Sequence, residues 1–171
     1  MNRRTVLQSL FALAALPLLP ACSRAANPAG ATTVAPLAKA AAAWRGQVSP
    51  AAYRVLFQGG TEPAGSSPLD KEARAGTFVC AACQLPLFDS ADKFDSGTGW
   101  PSFTRSIAGH TETSRDFKLI LPRTEYHCAR CGGHQGHIFD DGPPPRGKRW
   151  CNNGVALNFV PKGAPLPALR S

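Results

Sequence analysis

The sequence predicts a mainly β protein, a small antiparallel β domain preceded by short helices. From Thr77 onward, short apolar stretches alternate with turns rich in Gly, Pro, Asp and Asn, which is typical of short antiparallel strands. Two Cys-x-x-Cys pairs lie within this region, as in small domains that a metal ion stabilises. Before Thr77, two Ser-Pro dipeptides mark helix starts. A chain of 171 residues is therefore expected to form one globular unit.

Residues 1–22 have the pattern of an export signal. Arg3 and Arg4 precede a short apolar stretch and then small residues, and that stretch is too short for a transmembrane anchor. The arginine pair favours the twin-arginine class of bacterial signal over an ordinary secretory one. The string LPAC is similar to a lipoprotein cleavage box, which would leave Cys22 as a lipidated membrane tether; cleavage a few residues later is the alternative. We predict an exported protein, either periplasmic or anchored to a membrane that faces the periplasm.

Composition divides the rest of the chain. Residues 23–43 are rich in Ala, Pro, Gly and Thr, which predicts a flexible linker. The folded domain is expected at 44–163 and an irregular tail at 164–171. The formal charge of +8 comes from 19 basic and 11 acidic residues that are spread without a basic block. This distribution excludes a dedicated nucleic-acid surface, and a monomer is expected.

Two Ser-Pro segments predict helices ahead of the β region. Ser49 is an N-cap with proline at the first helical position, and apolar residues at helical spacing lead to Gly59, which ends the predicted helix. Ser67 and the proline after it repeat this arrangement, and Gly76 is expected to end the second segment. The β region therefore begins after two short helical segments.

Four cysteines form a strong local pattern. Cys80 pairs with Cys83, and Cys128 pairs with Cys131, each pair spaced so that two thiolates face one ion from a tight turn. We predict one tetrahedral Zn²⁺. Because four thiolates close the coordination shell, the ion is expected to be structural. Two disulfides or a redox-active pair are the alternatives, since an exported protein can form them.

Cys151 has no partner in the sequence. It follows Arg149 by two residues, and the segment before it carries His134 and His137. Nearby cations and imidazoles lower the pKa of a thiol and so create a nucleophile. A lone cysteine is also commonly a small buried hydrophobe, and paired histidines can bind a metal or satisfy core hydrogen bonds. The residues alone leave these alternatives open.

A Gly-rich turn at residues 94–103 carries two aromatic side chains, Trp100 and Phe103. Aromatic side chains on a turn can form an open apolar wall for a small substrate group. Burial in the core is the alternative for such residues. The turn is therefore a candidate substrate wall.

Three longer strings resemble a known family. KFDSGTGWPSF, CARCGGHQGHIFDDGPPP and RWCNNGVALNF stand in this order with the Cys-x-x-Cys pairs, and YRVLFQGGTE precedes them. Together they resemble the B-type methionine sulfoxide reductases, which reduce the R epimer of methionine sulfoxide. The likeness covers Tyr53 to Val160. It implies two packed antiparallel sheets, the Mss4-like or β-tent fold, with a pair of zinc knuckles.

The resemblance implies a role for each matching residue. Cys151 matches the nucleophile, whose thiolate attacks the sulfoxide sulfur, releases methionine and becomes a sulfenic acid. His134 and His137 match histidines that orient substrate and protonate the departing oxygen. Trp100 matches the ring that packs on the S-methyl group. The other matches are Asn153 and Arg149 beside the nucleophile, and Asp141, or its neighbour Asp140, as the acid that tunes the histidines.

One departure from the family pattern concerns recycling of the enzyme. Many members carry a resolving cysteine where this chain has Thr98. With four cysteines on zinc and Cys22 removed or lipidated, Cys151 would be the only free thiol of the mature protein. The expected reductant is therefore an external thiol or a thioredoxin-like partner that acts through a mixed disulfide.

The resemblance and the predicted export favour oxidised proteins or peptides as substrates, and repair of exported proteins as the function. A non-catalytic zinc-stabilised β domain that binds a ligand in the same cleft is the alternative. Such a binding module would have no reason to carry Cys151 together with His134, His137 and Asn153.

Overall fold

The structure, a computed structural model, describes residues 34–118 and 121–171. The predicted export signal at 1–22, with Cys22, lies outside the described residues. Within these two ranges the elements are one α-helix and nine strands: α1 (Pro50–Gln58), β1 (Gly76–Cys80), β2 (Pro86–Asp89), β3 (Lys93–Phe94), β4 (Ser102–Phe103), β5 (Thr111–Asp116), β6 (Arg123–Cys128), β7 (His134–Phe139), β8 (Arg149–Asn152) and β9 (Leu157–Pro161). Single 3₁₀ turns occur at Ala41–Trp44, Pro68–Asp70, Ser90–Asp92 and Gly154–Ala156.

Helix α1 forms as the sequence predicts. The Ser49 side chain accepts a hydrogen bond from the backbone N–H of Ala52 at 3.1 Å, which satisfies one of the unpaired donors of the first turn. Gly59 follows the helix in the left-handed region, with φ 63°, a conformation that glycine adopts without steric cost. The inward face of the helix buries Val55 and Leu56.

The second predicted helix is wrong in its length. Ser67 caps only the 3₁₀ turn Pro68–Asp70, because the Glu72 carboxylate then accepts the backbone N–H of Arg74 at 2.9 Å, a local bond that competes with helix. Gly76 does not end this segment but begins β1. A β-carbon there would lie 2.3 Å from the Val160 carbonyl oxygen, so the close approach of β9 requires glycine.

The strands form two antiparallel sheets, as predicted. The smaller sheet has the order β2-β1-β9, and the larger has the order β3-β4-β8-β7-β6-β5. Aromatic side chains pack between them: Phe78 and Phe88 of the smaller sheet contact Phe103 of the larger, at ring-centroid distances of 5.0 and 4.1 Å. The mainly β fold with two packed sheets is confirmed.

The two faces of the larger sheet differ in character. Directly opposite residues on antiparallel strands share a face, and Phe103 is opposite Trp150 whereas Ser102 is opposite Cys151. Phe103 and Trp150 therefore point into the core, and Cys151 points away from it. The prediction that Phe103 forms part of a substrate wall is wrong, because the ring is fully buried between the sheets.

Both ends of the described chain lie against the domain. Within the predicted linker 23–43, the Leu37 N–H donates to the Arg130 carbonyl at 2.7 Å, so the part from residue 34 is not a free linker. Residues 164–171 form no helix or strand, and the Arg170 N–H donates to the Cys83 carbonyl at 3.1 Å. No helix in the described ranges is long and apolar enough to span a membrane.

Candidate active site and metal centre

The four predicted metal ligands meet at one point. Cys80 and Cys128 are the last residues of β1 and β6, and each begins a turn of the same construction. The Cys80 carbonyl accepts the Gln84 N–H at 3.0 Å, and the Cys128 carbonyl accepts the Gly132 N–H at 2.9 Å. Gln84 and Gly132 both have left-handed backbones, with φ 63° and 70°. The two knuckles are therefore alike, although the sequence shows glycine in only one.

The cysteine cluster fits a tetrahedral metal ion. The four sulfur atoms lie within 4.8 Å of one another, with Cys80 to Cys131 at 3.6 Å and Cys83 to Cys128 at 3.5 Å. Zn–S bonds of about 2.3 Å in a tetrahedron place sulfurs about 3.8 Å apart, whereas a disulfide requires about 2.05 Å. Neighbouring thiols and burial raise the pKa of the Cys80 thiol well above its usual range, so thiolates in this space need a cation.

Cys151 lies in the middle of the larger sheet, on β8 between β4 and β7. It is opposite Ser102 on one side and His137 on the other. A cleft of about 130 Å³ opens above it on the face directed away from the core. The cleft is lined by Thr61, Trp100, Arg123, Gly136, His137, Phe139, Cys151, Asn152 and Asn153. The structure therefore brings Cys151, His137, Trp100 and Asn153 together in one cleft.

Gly136 explains the glycine between the two predicted histidines. A β-carbon at this position would lie 1.9 Å from the Cys151 carbonyl oxygen, so any other residue would push β7 away from β8. Close approach of the two strands is what places His137 beside Cys151. The motif His-Gln-Gly-His is therefore a packing requirement as well as a carrier of histidines.

Two opposing effects act on the Cys151 thiol. Burial raises its pKa, and the positive charge of Arg149 lowers it, with burial the larger effect. The Arg149 guanidinium is fixed by two bonds of 2.8 Å to the Asp141 carboxylate and lies 4.4 Å from the centre of the Phe139 ring. Arg149 thus favours the thiolate that a nucleophile needs.

Asp141 does not lie where its predicted role, tuning the histidines, would require. Asp141 binds Arg149, and Asp140 pairs with Lys148, so neither acid contacts the histidines. The strand register explains this, because Phe139 is opposite Arg149, which directs the loop acids towards the end of β8.

Other carboxylates hold the two histidines. His137 Nε2 bonds Asp116 Oδ2 at 2.7 Å, and His134 Nδ1 bonds Glu125 Oε1 at 2.5 Å. Burial lowers the pKa of His134, and Glu125 opposes this effect. The two rings lie 5.4 Å apart between centroids, but His134 does not line the cleft. Asp116 and Glu125 carry no local sequence pattern that marks them as site residues.

Glu62 organises the opposite side of the cleft and was also missed. Its carboxylate accepts the backbone N–H groups of Gly154 and Val155, and its own N–H donates to the Asn153 side chain at 3.0 Å. Its carbonyl accepts the Trp100 indole N–H at 3.2 Å. A 3% exposed acid within GGTE thus fixes Trp100 and Asn153 together. Its only sequence signal is its place within a string that resembles the family.

Thr98 lies on a chain of hydroxyl groups that leads towards Cys151. Its Oγ1 is 2.8 Å from Ser96 Oγ, and Ser96 Oγ is 2.8 Å from Ser102 Oγ, whose residue is opposite Cys151. Among the residues that the structure describes, all five cysteines are free of disulfides. A thiol that could resolve an oxidised Cys151 is therefore not supplied by the Thr98 turn.

Known proteins are similar to this chain over most of the domain. The SelR domain matches residues 48–161. The peptide methionine sulfoxide reductase MsrB of Bradyrhizobium diazoefficiens is 48% identical over 120 residues, which cover 70% of this chain and 86% of the relative. That of Pseudomonas putida is 49% identical over 121 residues, covering 70% and 90%. The chloroplastic reductase B1 of Arabidopsis thaliana is 45% identical over 117 residues, covering 68% and 58%.

The two-sheet fold, the four-cysteine centre and the cleft above Cys151 occur here in a chain whose relatives are named as reductases, and the class of protein is therefore an oxidoreductase. More particularly, the chain belongs to the methionine sulfoxide reductase B family, the proteins built on the SelR domain. The resemblance predicted from the sequence strings is confirmed. The enzyme names of these relatives disfavour a non-catalytic binding module.

Proposed function

We propose that the protein reduces the R epimer of methionine sulfoxide in oxidised proteins or peptides, with Cys151 as the nucleophile. The observation that carries this proposal is the position of Cys151 in a cleft that also contains Trp100 and His137. An apolar ring, an imidazole and a thiol are the three groups that a sulfoxide needs for binding, proton transfer and attack.

The reaction is a two-electron exchange between two sulfur atoms. The Cys151 thiolate attacks the sulfoxide sulfur, a proton passes to the oxygen, and the S–O bond breaks as oxygen transfers to Cys151. The products are methionine, whose sulfur has been reduced, and a Cys151 sulfenic acid. His137 is the proton donor in this step, since it lines the cleft and lies opposite Cys151.

Epimer selection follows from the shape of the cleft. The Trp100 ring is held by its N–H bond to the Glu62 carbonyl, so it offers a fixed apolar surface to the S-methyl group. With the methyl group on Trp100 and the oxygen directed to His137, the two epimers differ in which of the lone pair and the side-chain carbon of methionine points towards Cys151. Only one epimer keeps that carbon away from the thiol. That arrangement is expected to be the R epimer.

Recycling requires thiols from outside the domain. One external thiol condenses with the sulfenic acid, releasing water and forming a mixed disulfide, and a second thiol reduces that disulfide to return Cys151. A thioredoxin-like dithiol supplies both. Support comes from Thr98 at the turn beside β4 and from the engagement of the other described cysteines in one cluster.

The four-cysteine cluster holds one structural Zn²⁺ in this proposal. The ion joins the end of β1 to the end of β6, and so links the two sheets. Because all four ligands are protein thiolates, the site leaves no open position for substrate. Its contribution is to folding, as in other domains with closed zinc sites.

Export, repair of exported proteins and the location in or facing the periplasm rest on the sequence of residues 1–22 alone. Twin-arginine export of the folded protein would allow zinc to bind before the chain reaches an oxidising compartment. Fractionation of cells that express the full chain, with Cys22→Ser as the matched variant, tests both location and tether. Release of only the variant into the soluble periplasmic fraction supports the lipid anchor, and retention of the full-length chain in the cytoplasm contradicts export.

A single turnover without reductant tests the catalytic proposal. Zinc-loaded full chain carrying Cys22→Ser is mixed with a peptide that contains either sulfoxide epimer, and methionine is counted. About one methionine per enzyme is expected from the R epimer, and none from the S epimer or from Cys151→Ser. Product without Cys151 would contradict the mechanism, and product from neither epimer in a folded protein would contradict the function. A Cys22–Cys151 disulfide trapped in the unsubstituted chain would contradict recycling by an external thiol.

A further inference from the structure

Asp116 is a buried carboxylate with three donors. It ends β5 and is 5% exposed. Its Oδ1 accepts the backbone N–H of Lys118 at 2.9 Å. Its Oδ2 accepts from the Arg123 guanidinium at 2.6 Å and contacts His137 Nε2 at 2.7 Å. One oxygen atom therefore holds both Arg123 and His137.

The neighbours of Asp116 favour its ionised form. The Lys118 N–H, His137 and Arg123 hold the pKa of this carboxyl well below its usual range. An ionised carboxylate only accepts hydrogen bonds, so His137 must present Nε2–H to it. This fixes the tautomer of the imidazole, because a ring nitrogen that donates to a carboxylate determines what the other nitrogen can do.

The two side chains that Asp116 holds both line the cleft above Cys151. With Nε2 engaged, Nδ1 is the nitrogen of His137 left to exchange a proton with a bound molecule. The Arg123 guanidinium donates to Asp116 through one terminal nitrogen. Its Nε has no hydrogen-bond partner among the described residues. Its bond to Asp116 keeps the carboxylate from turning away from His137.

We propose that Asp116 is a positioning residue of the active site, which fixes the orientation and tautomer of His137 so that Nδ1 faces the sulfoxide oxygen. The inference rests on the proposed function of the cleft and assigns to β5 a part in it that the chain's sequence patterns do not indicate. Asp116 acts through His137 and does not touch the substrate. The doubly protonated ring gives the proton on Nδ1 to the oxygen, and the neutral ring that remains keeps its proton on Nε2, which donates to Asp116.

A second carboxylate–histidine pair, Glu125 with His134, differs from Asp116 with His137 in its access to the cleft. Its geometry is similar, at 2.5 Å, but His134 is buried and lies outside the residues that line the cleft. Asp116 is thus the carboxylate whose histidine can reach a substrate. A similar pair farther along the same hairpin, Glu112 with His127 at 4.0 Å, has an exposed carboxylate and supplies a control.

The test compares Asp116→Asn with Glu112→Gln in the zinc-loaded full chain. Steady-state reduction of an R-sulfoxide peptide is measured with a thiol reductant, and far-ultraviolet circular dichroism checks the fold. For Asp116→Asn we expect kcat to fall about 100-fold with KM nearly unchanged, since general acid catalysis contributes about that factor or more. Glu112→Gln is expected to keep kcat within about twofold, as for a surface substitution away from the site. A loss confined to KM, or a kcat equal to that of Glu112→Gln, overturns the proposal.

A second readout does not depend on a variant or on turnover. Nitrogen-15 spectra of the imidazoles in the unsubstituted protein, assigned with His137→Gln, report which ring nitrogen carries the proton. His137 in the Nε2–H form, lost in Asp116→Asn, supports the proposal, and His137 in the Nδ1–H form overturns it. If the spectra show Nε2–H but the unsubstituted enzyme releases no methionine, the proposed function fails while the structural role of Asp116 stands.

Discussion

The two cysteine sites of this protein use the same side chain in opposite ways. In the cluster, each knuckle begins at the end of a strand and the sulfur atoms have one another as near neighbours. At Cys151, in the middle of the larger sheet, the neighbours are a guanidinium, an imidazole and an open cleft. The cluster therefore needs a cation from outside, whereas Cys151 has one built in as Arg149. Reactivity is decided by what surrounds the thiol and by access to it.

Removal of one thiol from each site gives the largest expected contrast. Cys83→Ser should lose the metal and unfold the domain, because about 10–16 kcal/mol of zinc binding is folding free energy in closed sites of this kind. Cys151→Ser should keep its zinc and its melting temperature but lose all activity. Zinc content and thermal unfolding of the two variants measure the contrast. A folded, metal-free Cys83→Ser would contradict the structural role of the cluster.

Removal of the Arg149 charge should have the next largest effect, on the rate of the single turnover. Burial raises the pKa of Cys151 and Arg149 lowers it, so Arg149→Met removes the lowering effect and the pKa rises further. A rise of one unit reduces the thiolate, and hence the single-turnover rate near neutral pH, about tenfold. The rate should recover as pH increases through the new pKa.

Lys148→Met is the matched control for Arg149→Met. It removes one positive charge from the adjacent position, but Lys148 is exposed and pairs with Asp140. Its rate profile against pH should follow that of the unsubstituted enzyme. A loss in Arg149→Met that stays constant at all pH values would show that Arg149 acts other than through the thiolate.

The smallest expected effect concerns the tail that lies on the cluster. The Arg170 guanidinium donates to the Ala81 and Gln47 carbonyls at 3.4 and 3.3 Å, which are long and partly exposed bonds. Arg170→Ala removes them and keeps the backbone bond to Cys83, so zinc loss to a coloured chelator should be faster by about twofold. Arg146→Ala, at an exposed position of another loop, should leave the rate unchanged. Equal rates in both variants would show that the guanidinium does not stabilise the knuckle.

Features with local causes were predictable from the sequence, and features that depend on strand register were not. Helix α1 follows from a cap, a proline and a glycine within ten positions of one another, and the cysteine cluster follows from two tight spacings. Asp116 and His137 are joined only because β5, β6 and β7 align as they do. The same register turns Phe103 into the core although it stands three positions after Trp100.

Glu62 illustrates the other limit of sequence reasoning. Its carboxylate binds the backbone of residues 154 and 155, and no spacing rule connects positions so far apart. The predicted length of the second helix was wrong for a local reason. The Glu72 carboxylate accepts the Arg74 backbone N–H, which in a longer helix would donate to a backbone carbonyl. Long-range partners of acidic residues were thus the part of the site that sequence patterns could not supply.

The cysteine cluster affects how the protein can be labelled in solution. It gathers four of the described cysteines at one point: Cys80, Cys83, Cys128 and Cys131. With a metal on these four sulfurs, Cys151 is the one thiol of the described residues left for an alkylating reagent. In the chain that carries Cys22→Ser, a mass-tagged electrophile would then label each competent molecule once. Counting the label would titrate active enzyme directly, and protection of Cys151 by a bound ligand would report occupancy of the cleft without any turnover.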